Sequence, residues 1–447
     1  MEHHLSHAAS AFFCSPFEEA AILTVDGVGE WATATLGVGR GNEISLSAEM
    51  RFPHSVGLLY SAFTAFLGFE VNEGEYKVMG MAPYGQPRYV DKVKQLVEVY
   101  PDGSIWLDMD YFSFHHSATQ AFSRRFEALF GKPRDPGISD RVEPYYADVA
   151  ASIQAVTEEI LLAMVGDLHR ATGQRRLCLA GGVALNSVAN GRILRETPIE
   201  ELFIHPAPGD SGGAIGAALY AHHVYMGQPR RFIMDHASWG KGYAETEIQD
   251  FLEREAIRHQ VAATEGDLLD RVVEALTRGK VVGWLQGRME SGPRALGNRS
   301  ILMAPAPASN KDRVNATIKF REAFRPFCPS ILWEERTRYL LGDRDERFMI
   351  TSFDVEPKHR SELAAVVHVD GTVRPQMVTR EMNDRYWRLI KAFGERTGTF
   401  AVLNTSMNLK GEPIVNTPGE AVRLFFDSGL DAMFLGGLLV RKPSCTC

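Results

Sequence analysis

Two periods of apolar residues alternate along the chain. From Ala21, AILTVDG and then ATATLGVG read as two strands joined by a turn, a hairpin laid beside a core. Between Asp148 and Thr172, Val149, Ile153, Val156, Ile160, Leu161, Met164 and Leu168 recur at three and four, which predicts a helix that Gly173 can end. RLCLA then predicts a strand, followed by Gly181-Gly182 and a helical stretch from about Val183. ELFIH predicts another strand, and after a Pro/Gly turn comes the alanine-rich helix AIGAALYAHH. Strands alternating with helices across tight glycine turns predict an α/β fold with a mostly parallel sheet. The pattern lapses over GQPRRFIMDHASWGKG and resumes with the helix-like DLLDRVVEALTRG and the strand KVVGWLQ. With 447 residues, too many for one typical core, this predicts two domains, 1-234 and 235-447.

Composition narrows the function classes. Apolar residues make up 45% and charged residues 23%, an ordinary globular balance. A net charge of −8 argues against bulk attraction to nucleic acid. Cys14, Cys178, Cys328, Cys445 and Cys447 form no CxxC pair, so neither a disulfide framework nor a cysteine zinc site is expected. The longest apolar stretch, Val56 to Phe69, is broken by Ser61 and Thr64 and is shorter than the roughly 20 residues that span a bilayer. No basic segment followed by an apolar one opens the chain, so no signal peptide is expected. A cytoplasmic protein without membrane or nucleic-acid partner is the expectation; oligomeric state is unreadable, and a homodimer stays open.

Several segments could carry chemistry. In His3-His4-Leu5-Ser6-His7, a helix would put His3 and His7 one turn apart on one face, a spacing that fits a metal pair and a surface pair alike. Asp26-Gly27 enters a turn after an apolar strand, where a carboxylate can hold a metal and a glycine admits a phosphate. LAGGVALN puts a glycine pair between strand and helix, suited to phosphate or ribose; no GxxxxGK[ST] occurs. Gly209-Asp210-Ser211-Gly212-Gly213 matches a serine-protease signature, but the alanine-rich helix behind it is the wrong context; a helix start with a carboxylate near a metal–phosphate complex fits better. Arg288, Arg294, Arg299, Lys311, Arg313, Lys319, Arg321 and Arg325 outnumber Glu290, Asp312 and Glu322 in loops rich in Gly, Pro and Phe, which predicts a pocket for a small polyanion. In NTSMNLKGEP, Asn404, Ser406 and Asn408 could position a carbamoyl or triphosphate group.

EHHLSHAASAF, LTVDGVGE, SVGLLYSAFTAFLGF, EYKVMGMAPYG, GGVALN, APGDSGGAIGAAL, GRMESGPRALGNRSI, KFREAFRPF, HVDGTVRPQ and NTSMNLKGEPIV occur in this order over nearly the whole chain. Together they resemble the NodU/CmcH-type O-carbamoyltransferases, which act on nodulation factors, cephems and aminoglycosides. The resemblance implies an actin-like ATPase-class (RNase H-like) first domain and a YrdC-like α/β second domain. It implies that the second domain makes carbamoyladenylate from carbamoyl phosphate and ATP with Mg2+, and that the first passes the carbamoyl group to a small-molecule hydroxyl beside Fe2+ or a similar divalent metal. His3, His7, Asp26 and Asp210 are the implied metal site. Gly181, Gly182, Asn186 and Lys77 are implied to face nucleotide; Arg288, Arg294, Lys319, Arg321, Arg374, Asn404 and Ser406 are implied to hold carbamoyl phosphate and adenylate. Family members carry a further segment before HHLSH, so a misassigned start or a natural fragment is expected here. Threonylcarbamoylation of tRNA and a catalytically dead nucleotide-binding fragment are the alternative readings.

Overall fold

The computed structural model describes residues 1–137 and 142–442; Cys445 and Cys447 lie outside them. The contacts divide the chain into two units, Met1–Met234 and Asp235–Cys447. In the first, α1 (His3–Phe12) is followed by β1 (Glu19–Gly29), β2 (Ala32–Arg40) and β3 (Glu43–Arg51). α2 (Val56–Phe66), α3 (Glu75–Met81) and α4 (Pro144–Thr172) lead to β4 (Arg176–Ala180). Then come α5 (Ser187–Glu196), β5 (Glu201–Ile204) and α6 (Asp210–Tyr220).

The sheet runs β3-β2-β1-β4-β5. It is mixed, not mostly parallel: β1–β2 and β2–β3 are antiparallel, whereas β1–β4 and β4–β5 are parallel. Tight turns join the first three strands, and such turns can only reverse the chain; parallel pairing needs the longer crossovers that α4 and α5 supply. The helix expected from Val183 starts later. Residues Gly182–Leu185 form a 3₁₀ turn, and the Asn186 side chain then caps α5 by accepting from Ala189 N.

α4 has 29 residues and is long and apolar enough to cross a membrane, but its apolar face is packed in the core of the unit.

In the second unit the order is β6 (His259–Val261), α7 (Glu265–Thr277), β7 (Val282–Leu285), β8 (Arg299–Met303) and β9 (Cys328–Leu332). β10 (Gln376–Val378), α8 (Asp384–Thr397), β11 (Ala401–Ser406), β12 (Ala432–Leu435) and β13 (Leu438–Val440) follow. The sheet runs β10-β9-β11-β8-β7-β12-β13-β6. One face carries Val282, Trp284, Leu302, Leu332 and Val402 beneath apolar residues of α7 and α8. Cross-strand partners share a face. Ser330 pairs with Gln376 and Val402, and Asn404 pairs with Leu302 and Cys328, so this apolar face continues into a polar row.

In the first unit α6 lies directly on α1. A Cβ added at Gly216 would stand 1.9 Å from Ser6 O and 2.8 Å from Ser10 N, backbone atoms that cannot step aside. Gly216→Ala is therefore expected to destabilise the protein by about 1–3 kcal/mol in urea unfolding. A wild-type midpoint would show that the two helices are not held at this spacing.

Candidate functional site

Two sites emerge, one in each unit. In the first, register does most of the assembly. Thr24 of β1 pairs with Ala180 of β4, so the next residues of both strands are neighbours. Asp26 sits where the pairing of β1 with β2 slips, between Val25 and Gly29; such a bulge redirects a side chain. Asp26 Oδ1 accepts from Gly27 N at 2.8 Å and from Gly182 N at 3.2 Å. Gly181, at φ 92°, leaves no room for a Cβ, which would meet Val25 O at 2.1 Å.

α1 brings His3 and His7 to the same carboxylate. His7 Nε2 is 2.8 Å and His3 Nε2 3.3 Å from Asp26 Oδ2, and the two ring nitrogens are 2.9 Å apart. Asp210, the first residue of α6, lies 3.4 Å from His3 and 3.6 Å from His7. One ligand atom from each of His3, His7, Asp26 and Asp210 falls within 4.8 Å of the others. Two histidine nitrogens and two carboxylate oxygens converging on one point form a donor set that suits a divalent metal. Burial alone would raise the Asp26 pKa, but hydrogen bonds from His7, Gly27 and His3 and the charge of His7 hold it well below the usual carboxylate range. The histidine between them is structural: His4 bonds Thr24 Oγ1 at 2.7 Å and Ala32 O at 3.0 Å. Burial pushes its pKa down to about 4 against that carbonyl contact.

Gly181 and Gly182 thus border the histidine–carboxylate cluster. Asn186 is buried; besides capping α5 it exchanges hydrogen bonds with Gln154, whose amide also reaches Glu158 and Tyr60. Lys77 lies on α3, its Nζ 5.6 Å from the Phe69 ring centroid.

In the second unit the loop between β7 and β8 is held on both edges. Glu290 Oε1 accepts from Leu296 N (2.7 Å), Asn298 N (2.8 Å) and Arg299 N (3.2 Å). From the sheet, Asn404 Nδ2 donates to Ala295 O, Gln376 Nε2 to Leu296 O and Trp284 Nε1 to Gly297 O, at 3.0, 2.8 and 2.9 Å. Arg294 is carried on this immobilised loop. Burial raises the Glu290 pKa, opposed by those three backbone donors.

The basic residues predicted to form one pocket separate. Arg299 is fully buried and spent on carbonyls of Gln286, Lys241 and Asn298. Arg288 clasps Gly240 O and Trp239 O, and Arg313 pairs with Asp431. Lys319, Arg321 and Arg325 come together. Lys319 is buried at the end of a π-helical turn, Asn315–Lys319, with Nζ donating to Ser406 O, Ser406 Oγ (3.2 Å), Asn408 O (3.0 Å) and Asn408 Oδ1 (2.7 Å). No carboxylate pairs with it among the described residues. Burial, reinforced by Arg321 and Arg325, holds its pKa well below that of a free lysine. Arg321 bonds Asn315 Oδ1 at 3.0 Å and stacks on Phe327. Arg374 donates to Cys328 Sγ at 3.2 Å, opposite Asn404 in the ladder. Glu290 was not among the predicted site residues; its signal is a lone acid in an otherwise basic loop.

The family model described as "Carbamoyltransferase N-terminus" matches residues 1–219 and that described as "Carbamoyltransferase C-terminus" matches residues 273–442. The chain is 44% identical to an uncharacterized protein of Synechocystis sp., over 99% of this chain and 76% of that one. It is 37% identical to nodulation protein NolO of Bradyrhizobium diazoefficiens, over 99% and 79%. Over 58% of this chain and 48% of the relative, it is 34% identical to a 3'-hydroxymethylcephem-O-carbamoyltransferase of Amycolatopsis lactamdurans.

Replacing Glu290 by Ala strips the acceptor from three buried N–H groups. Glu290→Ala is expected to cost on the order of 3 kcal/mol in urea unfolding, and Glu290→Gln, which keeps an acceptor oxygen, clearly less. Equal losses would mean that the loop is held by charge instead.

Proposed function

The chain belongs to the carbamoyltransferase family, and on that premise we propose that it moves a carbamoyl group from carbamoyl phosphate to a small-molecule hydroxyl at the expense of ATP. The observation that carries this reading is Lys319, a buried ammonium without a carboxylate partner among the described residues and beside Arg321 and Arg325. Uncompensated buried charge is costly, and a phosphate group arriving there would offset it. The named cephem O-carbamoyltransferase relative supports a hydroxyl acceptor.

In this proposal the second unit is YrdC-like and forms carbamoyladenylate. Carbamoyl phosphate loses phosphate to water to give carbamate, whose oxygen attacks the α-phosphorus of ATP as pyrophosphate leaves. Lys319 and Arg321 hold the phosphoryl oxygens, Ser406 and Asn408 fix the ammonium, and Arg294, Arg374 and Asn404 border the same pocket. A closed, cation-lined pocket also keeps water from an intermediate that hydrolyses readily. The first unit is read as actin-like, with Gly181, Gly182, Asn186 and Lys77 toward nucleotide. There the acceptor oxygen attacks the carbamoyl carbon and AMP leaves. His3, His7, Asp26 and Asp210 would hold a divalent metal, with Fe2+ a fitting ion, which when bound supplies Lewis acidity beside that carbonyl. Arg288 has its guanidinium on backbone carbonyls, which fits a role in shaping the loop.

Incubated with carbamoyl phosphate, ATP and Mg2+ but no acceptor, the protein should yield carbamoyladenylate and pyrophosphate, and Lys319→Met should abolish both. A folded protein that binds ATP yet yields neither would sink the proposal. For the metal, His7→Ala and Asp26→Ala should each weaken divalent-cation binding at least about tenfold in equilibrium dialysis. Undiminished binding would remove these residues from the site.

A further inference from the structure

The residue after Lys319 pays twice for its conformation. Phe320 lies at φ 45° and ψ 46°, the left-handed region where the Cβ of an L-residue crowds the neighbouring carbonyl. The residue is 55% exposed, so burial does not offset that strain. Glu30, Asn72, Ala256 and Met349 also have positive φ, but among the described residues Phe320 is the aromatic one.

Its neighbours impose the geometry. Phe320 N donates to Asn315 O at 2.7 Å, closing the π-helical turn. Lys319 is tied to Ser406 and Asn408 on one side, and Arg321 to Asn315 and Phe327 on the other. Placing the Lys319 ammonium and the Arg321 guanidinium therefore turns the residue between them outward. Folding alone would favour glycine there, and strain of this kind gathers where a ligand is held.

We propose that Phe320 is the platform on which the planar base of the bound nucleotide stacks, its phosphates reaching the cations on either side. This rests on the reading that the Lys319 pocket takes ATP. Consecutive residues put an aromatic face within one nucleotide's length of the phosphate-binding cations, and such a face holds a base by stacking without hydrogen-bond readout.

The test compares ATP with inorganic tripolyphosphate, which has the charge and no base. By calorimetry the wild-type chain should bind ATP at least roughly tenfold more tightly than tripolyphosphate. Phe320→Gly should bring the two close to parity while leaving tripolyphosphate binding and the melting temperature undiminished, because glycine accepts this φ. Phe320→Trp should restore the preference, and its fluorescence should respond to ATP and not to tripolyphosphate. Phe320→Gly that keeps the wild-type preference, or a Phe320→Trp signal identical for both ligands, would overturn the proposal. A wild-type chain that binds neither ligand would overturn the pocket reading beneath it as well.

Discussion

Everything at the histidine cluster depends on one strand pairing. Because Thr24 stands opposite Ala180 in a parallel ladder, Asp26 and Gly182 emerge together at the carboxyl ends of β1 and β4. Ligand sites gather at such ends because the chain there leaves the sheet and its backbone groups are free to bond elsewhere. The second constraint is steric: α6 can bring Asp210 to α1 only because Gly216 lets their backbones touch. Shift either, and four ligand atoms that now lie within 4.8 Å would disperse.

The second unit works differently. Its polar row is an interruption in an otherwise apolar face, and the interruption is used to grip a loop. Asn404, Gln376 and Trp284 each spend a donor on one carbonyl of Ala295, Leu296 and Gly297, while Glu290 takes the N–H groups on the other edge. Such doubly held loops resist motion because releasing any one bond leaves a buried polar group unpaired. Next to it, Lys319 is buried without a matching acid, a state that protein interiors tolerate mainly where function demands it. A rigid loop beside buried positive charge is an arrangement that could stabilise an anion without reorganising.

Much of this was legible residue by residue. His3, His7, Asp26 and Asp210 were all singled out, because each carries a side chain whose chemistry is visible in isolation. The basic loops were less legible. Arg288, Arg299 and Lys319 look alike in sequence, yet Arg299 is buried on main-chain carbonyls, Arg288 clasps a neighbouring loop, and Lys319 is buried on Ser406 and Asn408 with two further cations beside it. Charge is a property of a residue, whereas whether that charge is already satisfied is a property of its surroundings. Asn186 makes the same point: a polar residue after a glycine pair reads as a ligand contact, and in the fold it caps a helix and pairs with Gln154.

The amino-acid sequence by itself determined the α/β class, the i, i+4 spacing that lets one helical face carry His3 and His7, and the candidate chemistry. Those follow from periods, glycines and side-chain type over a few residues. Tertiary structure decided the mixed sheet, because strand direction depends on how long each connection runs. It decided the bulge that aims Asp26, the burial of Lys319 and the left-handed turn at Phe320. Partners far away along the chain, Gly182, Ser406 and Asn408 among them, take part in the last three, and local pattern carries no record of a partner it does not touch.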